Sequence, residues 1–294
     1  MVVIVFFAIL NCNYKFDQLA DKEYLLLNNP VIYFAGDSRA FWQLKPDTAS
    51  KYLQFDKSKI VNIARAAGHP VEIENLIRNN RDKFAESTVI ISVSAYLANG
   101  SAKTPFHYSM DLIGRKNVFE QILLFSPDNL LTLQKYYHHV FIGVFIRPMK
   151  KSYVSTNGYL PLNRSMDYDE MTYDKISNNP WYSNYYIDKG VVNSVEKSFK
   201  SIKNMCKTLI VYNAPFSRTF LKIFKETDLY EIENKFDTEM KRICDINGIK
   251  YVSYFNNIDL NDEYFVDWAH LNEKGSELFT IKLLKDCYSD MVIP

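Results

Sequence analysis

The chain has 294 residues, 47% of them hydrophobic, and its 35 Lys and Arg nearly balance its 34 Asp and Glu. A chain of this length and hydrophobicity can bury a large core, which excludes a disordered or fibrous protein. The balanced charge, without a basic stripe, excludes the electrostatic footprint of a nucleic-acid-binding protein. We therefore expect no nucleic-acid partner.

Residues 1–10 form an unbroken apolar run. The run is about half of the ~20 residues that cross a bilayer, and neither a basic segment nor a small-residue cleavage site flanks it. We interpret residues 1–30 as an N-terminal anchor or signal-like segment with its lead-in, which predicts a membrane-anchored or exported protein. The alternative is a buried strand or helix at the start of a cytoplasmic protein.

Five short apolar runs rich in β-branched residues predict buried parallel strands. They are Val31–Ala35, Ile60–Ala64, Thr88–Ser94, Thr208–Asn213 and Ile249–Tyr254. Longer segments between and after these runs have helical periodicity. They are Val71–Phe84, Val191–Cys206, Phe216–Lys225, Tyr230–Asn247 and Asn272–Asp286.

Strands that alternate with helices of this length indicate right-handed βαβ units. The pattern predicts an α/β fold with a doubly wound, flavodoxin-like, five-stranded parallel sheet and helices on both faces. Gly248 fits a helix C-cap and Asn272 an N-cap. We assign residues 31–294 to one catalytic domain.

About a hundred residues separate the third and fourth predicted strands, far more than an ordinary crossover needs. We interpret residues 100–190 as an insertion in the domain. Its aromatic residues Trp181, Tyr182, Tyr185 and Tyr186 have two readings: stacking on sugar rings, or packing of the insertion against the scaffold.

The four cysteines, Cys12, Cys206, Cys244 and Cys287, show neither C-x-x-C spacing nor a histidine grouping. This pattern favours neither a disulfide framework nor a metal site. We expect no metal and no cofactor.

Two short motifs at opposite ends of the scaffold contain reactive side chains. Gly36-Asp37-Ser38 follows the first predicted strand, and Asp267-Trp268-Ala269-His270 follows the fifth by a short loop. A serine hydroxyl becomes a good nucleophile when an imidazole removes its proton and a carboxylate orients that imidazole. Because ligands bind outside the carboxyl ends of parallel strands, we expect Ser38, His270 and Asp267 to converge there. The alternative is a structural role only, in which Ser38 caps a helix and Asp267 caps a turn with His270 packed nearby.

The order and context of the two motifs resemble the SGNH, or GDSL, family of serine esterases and acyltransferases, over about residues 31–287. The resemblance implies that Ser38 is the nucleophile and that Asp267 and His270 are the acid and base.

The resemblance also implies an oxyanion hole, and here the sequence departs from the family. The Ser38 N–H is one expected donor, and the block Asn62–Gly68 places Gly68 or Ala67 at the second. The family's third donor is an asparagine, where this chain has Tyr96. Either the Tyr96 phenol replaces it, or nearby Ser94 or Asn99 does, or nothing does.

Arg39 follows the nucleophile directly. It is a candidate for holding an anionic group of the substrate or for holding Asp37, and a surface ion pair is the competing interpretation.

These motifs predict an esterase or O-acyltransferase that acts through an acyl-serine, with an acyl ester as donor. The departure at Tyr96 resembles family members that acylate polysaccharides, which implies acetyl transfer on a carbohydrate of the cell envelope. One alternative is a catalytically weak or inactive polysaccharide-binding module that partners a membrane-bound O-acyltransferase. Another is a cytosolic carboxylesterase for small esters.

Overall fold

The structure is a computed structural model that describes Leu26 and residues 28–65, 68–99, 157–162, 174, 185–256 and 260–288. The chain divides into two units, and every described residue belongs to the second. The units are Met1–Gln18 with Lys103–Tyr153, and Leu19–Ala102 with Val154–Pro294. The N-terminal apolar run and most of the predicted insertion lie outside the described residues. Within those residues, no helix has the length and apolar character needed to cross a membrane.

Five parallel strands form one sheet in the order β2-β1-β3-β4-β5. They are β1 (Ile32–Ala35), β2 (Ile60–Asn62), β3 (Thr88–Val93), β4 (Thr208–Asn213) and β5 (Lys250–Ser253). Each coincides with a predicted strand, and β4 has the predicted bounds. The first four strands are almost wholly buried, as expected for strands that are covered on both faces.

Eight α-helices are described with this sheet. They are α1 (Ser38–Gln43), α2 (Pro46–Leu53), α3 (Pro70–Asn79), α4 (Arg81–Phe84), α5 (Lys189–Lys203), α6 (Arg218–Phe224), α7 (Asp228–Ile246) and α8 (Glu273–Tyr288). Phe34 and Ile90 of neighbouring strands face α1, α2 and α8 in one buried apolar cluster. Tyr33 faces the other way and packs against Phe84 of α4, with 4.2 Å between ring centroids. The doubly wound α/β fold is thus confirmed.

Local chemistry explains where the helices differ from prediction. The predicted helix Val71–Phe84 is two helices, because Asn80 has φ −130° and ψ 37° and its side chain donates to the Leu76 carbonyl at 3.0 Å. Helices α1 and α2 were not predicted, since six- and eight-residue segments carry little periodic signal. The two predicted caps are confirmed. Gly248 follows α7 with φ +59°, and the Asn272 side chain accepts the Gly275 N–H at 2.9 Å.

The predicted insertion begins and ends at neighbouring positions on the scaffold. After β3, the 3₁₀ turn Ala95–Ala98 leads to Asn99, which forms an isolated antiparallel bridge with Ile187. One residue later, the Asp188 N–H donates to the Ala98 carbonyl at 2.8 Å and the Asp188 side chain caps α5. The two ends of the predicted insertion are therefore fastened side by side.

Three cysteines lie in the described core as free thiols: Cys206 after α5, Cys244 in α7 and Cys287 in α8. Burial raises the pKa of each thiol to about 12. They therefore stay protonated and unreactive in the folded protein.

Candidate active site

Ser38 stands at the carboxyl end of β1, as the first residue of α1. The turn between strand and helix is tight: Gly36 has φ +124°, and a Cβ at this position would collide with Ser92 of β3. Asp37 is the N-cap of α1, and its carboxylate accepts the Arg39 N–H at 3.0 Å. The cap of this helix is thus Asp37 rather than Ser38, which leaves the serine hydroxyl available for other contacts.

The Asp37 carboxylate is fully buried and lies in a dense set of donors. Besides the Arg39 N–H, it accepts the Ser92 hydroxyl at 2.7 Å and the Ser94 hydroxyl. The Asp37 N–H in turn donates to Ser92 Oγ at 3.1 Å. These bonds fasten the nucleophile turn to β3 and fix its geometry. Since Ser94 gives its only proton to Asp37, it has none to offer an oxyanion.

Asp267 and His270 lie in a short loop that is closed by an antiparallel bridge between Phe265 and Leu271. The Val266 N–H donates to the His270 carbonyl at 2.8 Å. Inside the loop, Asp267 Oδ1 accepts the backbone N–H groups of Ala269 and His270 at 2.9 and 2.8 Å. Asp267 therefore stabilises the loop that carries His270.

Two other elements hold this loop by its backbone carbonyls. The Ser217 N–H, before α6, donates to the Trp268 carbonyl at 2.9 Å. The side chain of Gln43, at the end of α1, donates to the Ala269 carbonyl. Because Ser38 begins the same helix, α1 fixes the nucleophile and the base loop relative to each other.

Ser38, His270 and Asp267 form a continuous hydrogen-bonded chain. Ser38 Oγ lies 2.9 Å from His270 Nε2, and His270 Nδ1 lies 2.9 Å from Asp267 Oδ2. A carboxylate only accepts, so Nδ1 carries the ring proton and Nε2 is free to accept the serine proton. Burial alone raises the pKa of Asp267, but the hydrogen bond and charge of His270 and two backbone N–H groups outweigh it and lower that pKa overall.

Tyr96 also reaches the nucleophile. Its side chain hydrogen-bonds with both Ser38 and Asp37. Burial, reinforced by the Asp37 charge, raises the pKa of the phenol well above its usual value, so the hydroxyl keeps its proton. The tyrosine that stands where the family has asparagine is therefore a protonated donor beside Ser38.

Gly68 and Asn99, two other predicted oxyanion residues, have their own contacts in the scaffold. Gly68 packs against the Gly36 carbonyl, where a Cβ would collide, and its N–H donates to the Arg65 carbonyl at 3.1 Å. Ala67 lies outside the described residues. Asn99 is buried at the bridge with Ile187.

Arg39 does not form a surface ion pair. It is only 2% exposed, its guanidinium lies 4.1 Å above the centre of the Phe216 ring, and Nη1 donates to the Ala214 carbonyl at 3.3 Å. Its backbone N–H, rather than its guanidinium, holds Asp37. Such burial also argues against contact with an anionic substrate.

Sequence reasoning missed three residues around the site. Trp42 packs edge-on against the His270 ring with 4.8 Å between centroids, and its position one turn after Ser38 was a usable signal. Gln43 holds the base loop, a contact that no local pattern signals. Glu233 is fully buried within the apolar stripe of α7 that includes Phe236 and Met240, where a charged residue is an anomaly.

Only part of the predicted aromatic cluster is described. The Tyr185 ring is buried and its hydroxyl donates to Glu233, so it is unavailable for sugar stacking, whereas Tyr186 is 52% exposed. Trp181 and Tyr182 lie outside the described residues. Across the part of the chain that the structure describes, no group of three or more His, Cys, Asp or Glu side chains is arranged to hold a metal ion.

Comparison with solved structures gives similarities at low sequence identity, one of which is the following. The chain is similar to a crystal structure described as a "putative acylhydrolase" from Bacteroides fragilis, with 10% sequence identity and a TM-score of 0.42. The alignment covers 90% of this chain and 94% of that chain. No protein-family model matches the sequence, and no curated protein matches it.

Proposed function

We propose that this protein is an SGNH-type serine esterase or O-acyltransferase that acts through an acyl-Ser38 intermediate. The observation that carries the proposal is the chain from Ser38 through His270 to Asp267, with 2.9 Å at each link. Serine, imidazole and carboxylate in this arrangement are the parts of a nucleophilic triad.

The first half-reaction uses each member of the triad once. Ser38 Oγ attacks the acyl carbon of the ester while His270 Nε2 takes the serine proton. The ionised Asp267 stabilises the imidazolium that forms. His270 then returns the proton to the oxygen of the leaving alcohol, the bond from acyl carbon to that oxygen breaks, and acyl-Ser38 remains.

Two donors are positioned to bind the negative charge on the acyl oxygen. The Ser38 N–H lies at the first position of α1 and has no backbone acceptor among the described residues. The Tyr96 hydroxyl is the second, and it donates its single proton to the Asp37 carboxylate, which can only accept. Because Asp37 already accepts three other hydrogen bonds, Tyr96 can turn toward the oxyanion without leaving that carboxylate unsatisfied.

In the second half-reaction, His270 activates an acceptor that takes the acyl group from Ser38. We propose that the acyl group is acetyl and that the acceptor is water or a carbohydrate hydroxyl at the cell envelope. The resemblance of the Tyr96 block to polysaccharide-acylating proteins supports this proposal. The competing function is an inactive partner of a membrane-bound acyltransferase, which the missing asparagine motivates.

Intact mass measures the nucleophile directly. We would expose the protein to an activated acetyl ester and, separately, to a fluorophosphonate. We expect one adduct on the wild type and on the control Ser58→Ala, in the turn before β2, and none on Ser38→Ala. Thermal unfolding checks that Ser38→Ala is folded. A folded wild type without any adduct would contradict the proposal and favour the partner function.

A further inference from the structure

A second buried carboxyl, besides that of Asp37, belongs to Glu233. Glu233 of α7 is 0% exposed, and its Oε1 accepts the Tyr185 hydroxyl at 3.3 Å. Its Oε2 is also buried and has no hydrogen-bond partner among the described residues. A buried carboxyl oxygen without a partner is costly, so its presence requires an explanation.

The charged group that most favours Glu233 ionisation is Arg39, which follows Ser38 on α1. Like Glu233, the Arg39 guanidinium is buried, and it otherwise contacts the Phe216 ring and one carbonyl oxygen. A buried cation needs a counter-charge to keep its place. Glu233 can supply that charge, since the two buried side chains interact electrostatically.

Tyr185 connects this pair to the base of the long segment between β3 and β4. It precedes the bridge between Asn99 and Ile187 by two residues. The same bridge ends the turn that carries Tyr96, and the Asn99 N–H donates to the Tyr96 carbonyl at 3.2 Å. Tyr185 therefore joins Glu233 to the bridge that ends the Tyr96 turn.

We propose that Glu233, held by Tyr185, is a positioning residue that acts through Arg39 to keep the turn at Ser38 in its reactive geometry. The inference rests on the proposed function and adds a residue to its machinery. It also explains a carboxyl that stability alone would replace by an apolar or amide side chain.

The charge of Glu233 changes near neutral pH. Burial raises its pKa to about 7, against the opposing effects of Arg39 and the Tyr185 hydrogen bond, while Asp237 one turn later adds to the rise. Arg39 thus has its counter-charge above this pH and loses it below. The free energy of unfolding changes in the opposite direction. Because the pKa of Glu233 is higher in the folded protein, ionising it lowers the stability as pH rises from about 4.5 to about 7.

The test compares the rate of fluorophosphonate labelling of Ser38 in wild type and in Glu233→Gln across pH. Any effect of pH that both proteins share cancels in the ratio of rates. We expect the wild type to react about three- to tenfold faster at about pH 8.5, with the ratio falling toward one at about pH 5.5. The matched control is Glu231→Gln, the same change on the exposed face of α7, with a ratio near one throughout.

Tyr185→Phe makes the same test with a smaller change. Removing the hydroxyl takes away a hydrogen bond that favours the ionised Glu233 and therefore raises the pKa of Glu233. The pH below which the labelling rate of Ser38 falls should then be higher than in the wild type.

Three outcomes would overturn the proposal. A ratio that does not change with pH, or a Glu233→Gln protein as fast as wild type, would leave the triad intact and remove Glu233 from its machinery. A wild type that fails to label at any pH would remove the proposed function and the positioning role together.

Discussion

Asp37 and Asp267 both fix a neighbour in the candidate site, yet Asp37 is fully buried whereas the Asp267 side chain is 25% exposed. Asp37 is held by the side chains of Ser92 in β3 and Ser94 just after it, which lie more than fifty residues away in the chain. Asp267 is held mainly by backbone N–H groups of its own loop. The nucleophile side of the site is therefore a buried polar network, and the acid–base side is a locally folded loop.

In the proposed mechanism, the two sides have different tasks, which agrees with this difference. Ser38 has to meet a carbonyl carbon in one orientation, which a rigid buried turn provides. His270 must exchange protons with an alcohol or water, and its side chain is 17% exposed at the surface of the site. Damage to the loop should thus reduce the rate more than the stability, and damage to the buried network should do the reverse.

The largest effect is expected from Asp267→Asn. An amide in place of the carboxylate favours the wrong tautomer of His270, which costs ~10⁴-fold in kcat in triads of this kind. We expect kcat for ester hydrolysis to fall by about that factor, with little change in melting temperature. A variant that unfolds instead would show that Asp267 belongs with the structural acids.

Tyr96→Phe should have the next largest effect. Loss of one oxyanion donor typically lowers kcat by ~10²- to 10³-fold, while the phenyl ring preserves the packing. Steady-state kinetics with an activated acetyl ester measures the change, and Tyr186→Phe, at an exposed site, is the control. A rate within about twofold of wild type would mean that the hydroxyl is not an oxyanion donor.

Ser94→Ala sharpens the comparison from the buried side. It removes one donor to Asp37, and leaving a buried acceptor less satisfied costs about 1–3 kcal/mol in the free energy of unfolding. Urea unfolding measures this loss, with Ser58→Ala as the control. If Ser94→Ala were fully stable but catalytically dead, the division between the two regions would fail.

Much of the scaffold could be predicted from the sequence because its strands are buried and parallel. Such strands are continuous apolar runs, and Thr208–Asn213 was predicted with its observed bounds. The meeting of Ser38, Asp267 and His270 could be predicted because both motifs follow strands that end at one edge of the sheet.

The rest of the site depends on contacts between distant segments, which no local pattern reveals. A surface ion pair was one interpretation of Arg39, because the sequence does not show that its guanidinium packs on the Phe216 ring. Ser94 was a candidate oxyanion donor, because the sequence does not reveal its hydrogen bond to Asp37, fifty-seven residues away in the chain. Glu233 was overlooked, although its place in an apolar stripe could have flagged it.

The three buried cysteines give the protein its own reporters of local opening. Cys206 lies after α5, Cys244 in α7 and Cys287 in α8, so each thiol becomes reactive only when its own part of the structure separates from the core. In a Cys12→Ser background, the rate at which a thiol reagent modifies each position would rank the opening free energies of these regions. The helices that cover the sheet could then be mapped as separate cooperative units without introducing any new cysteine.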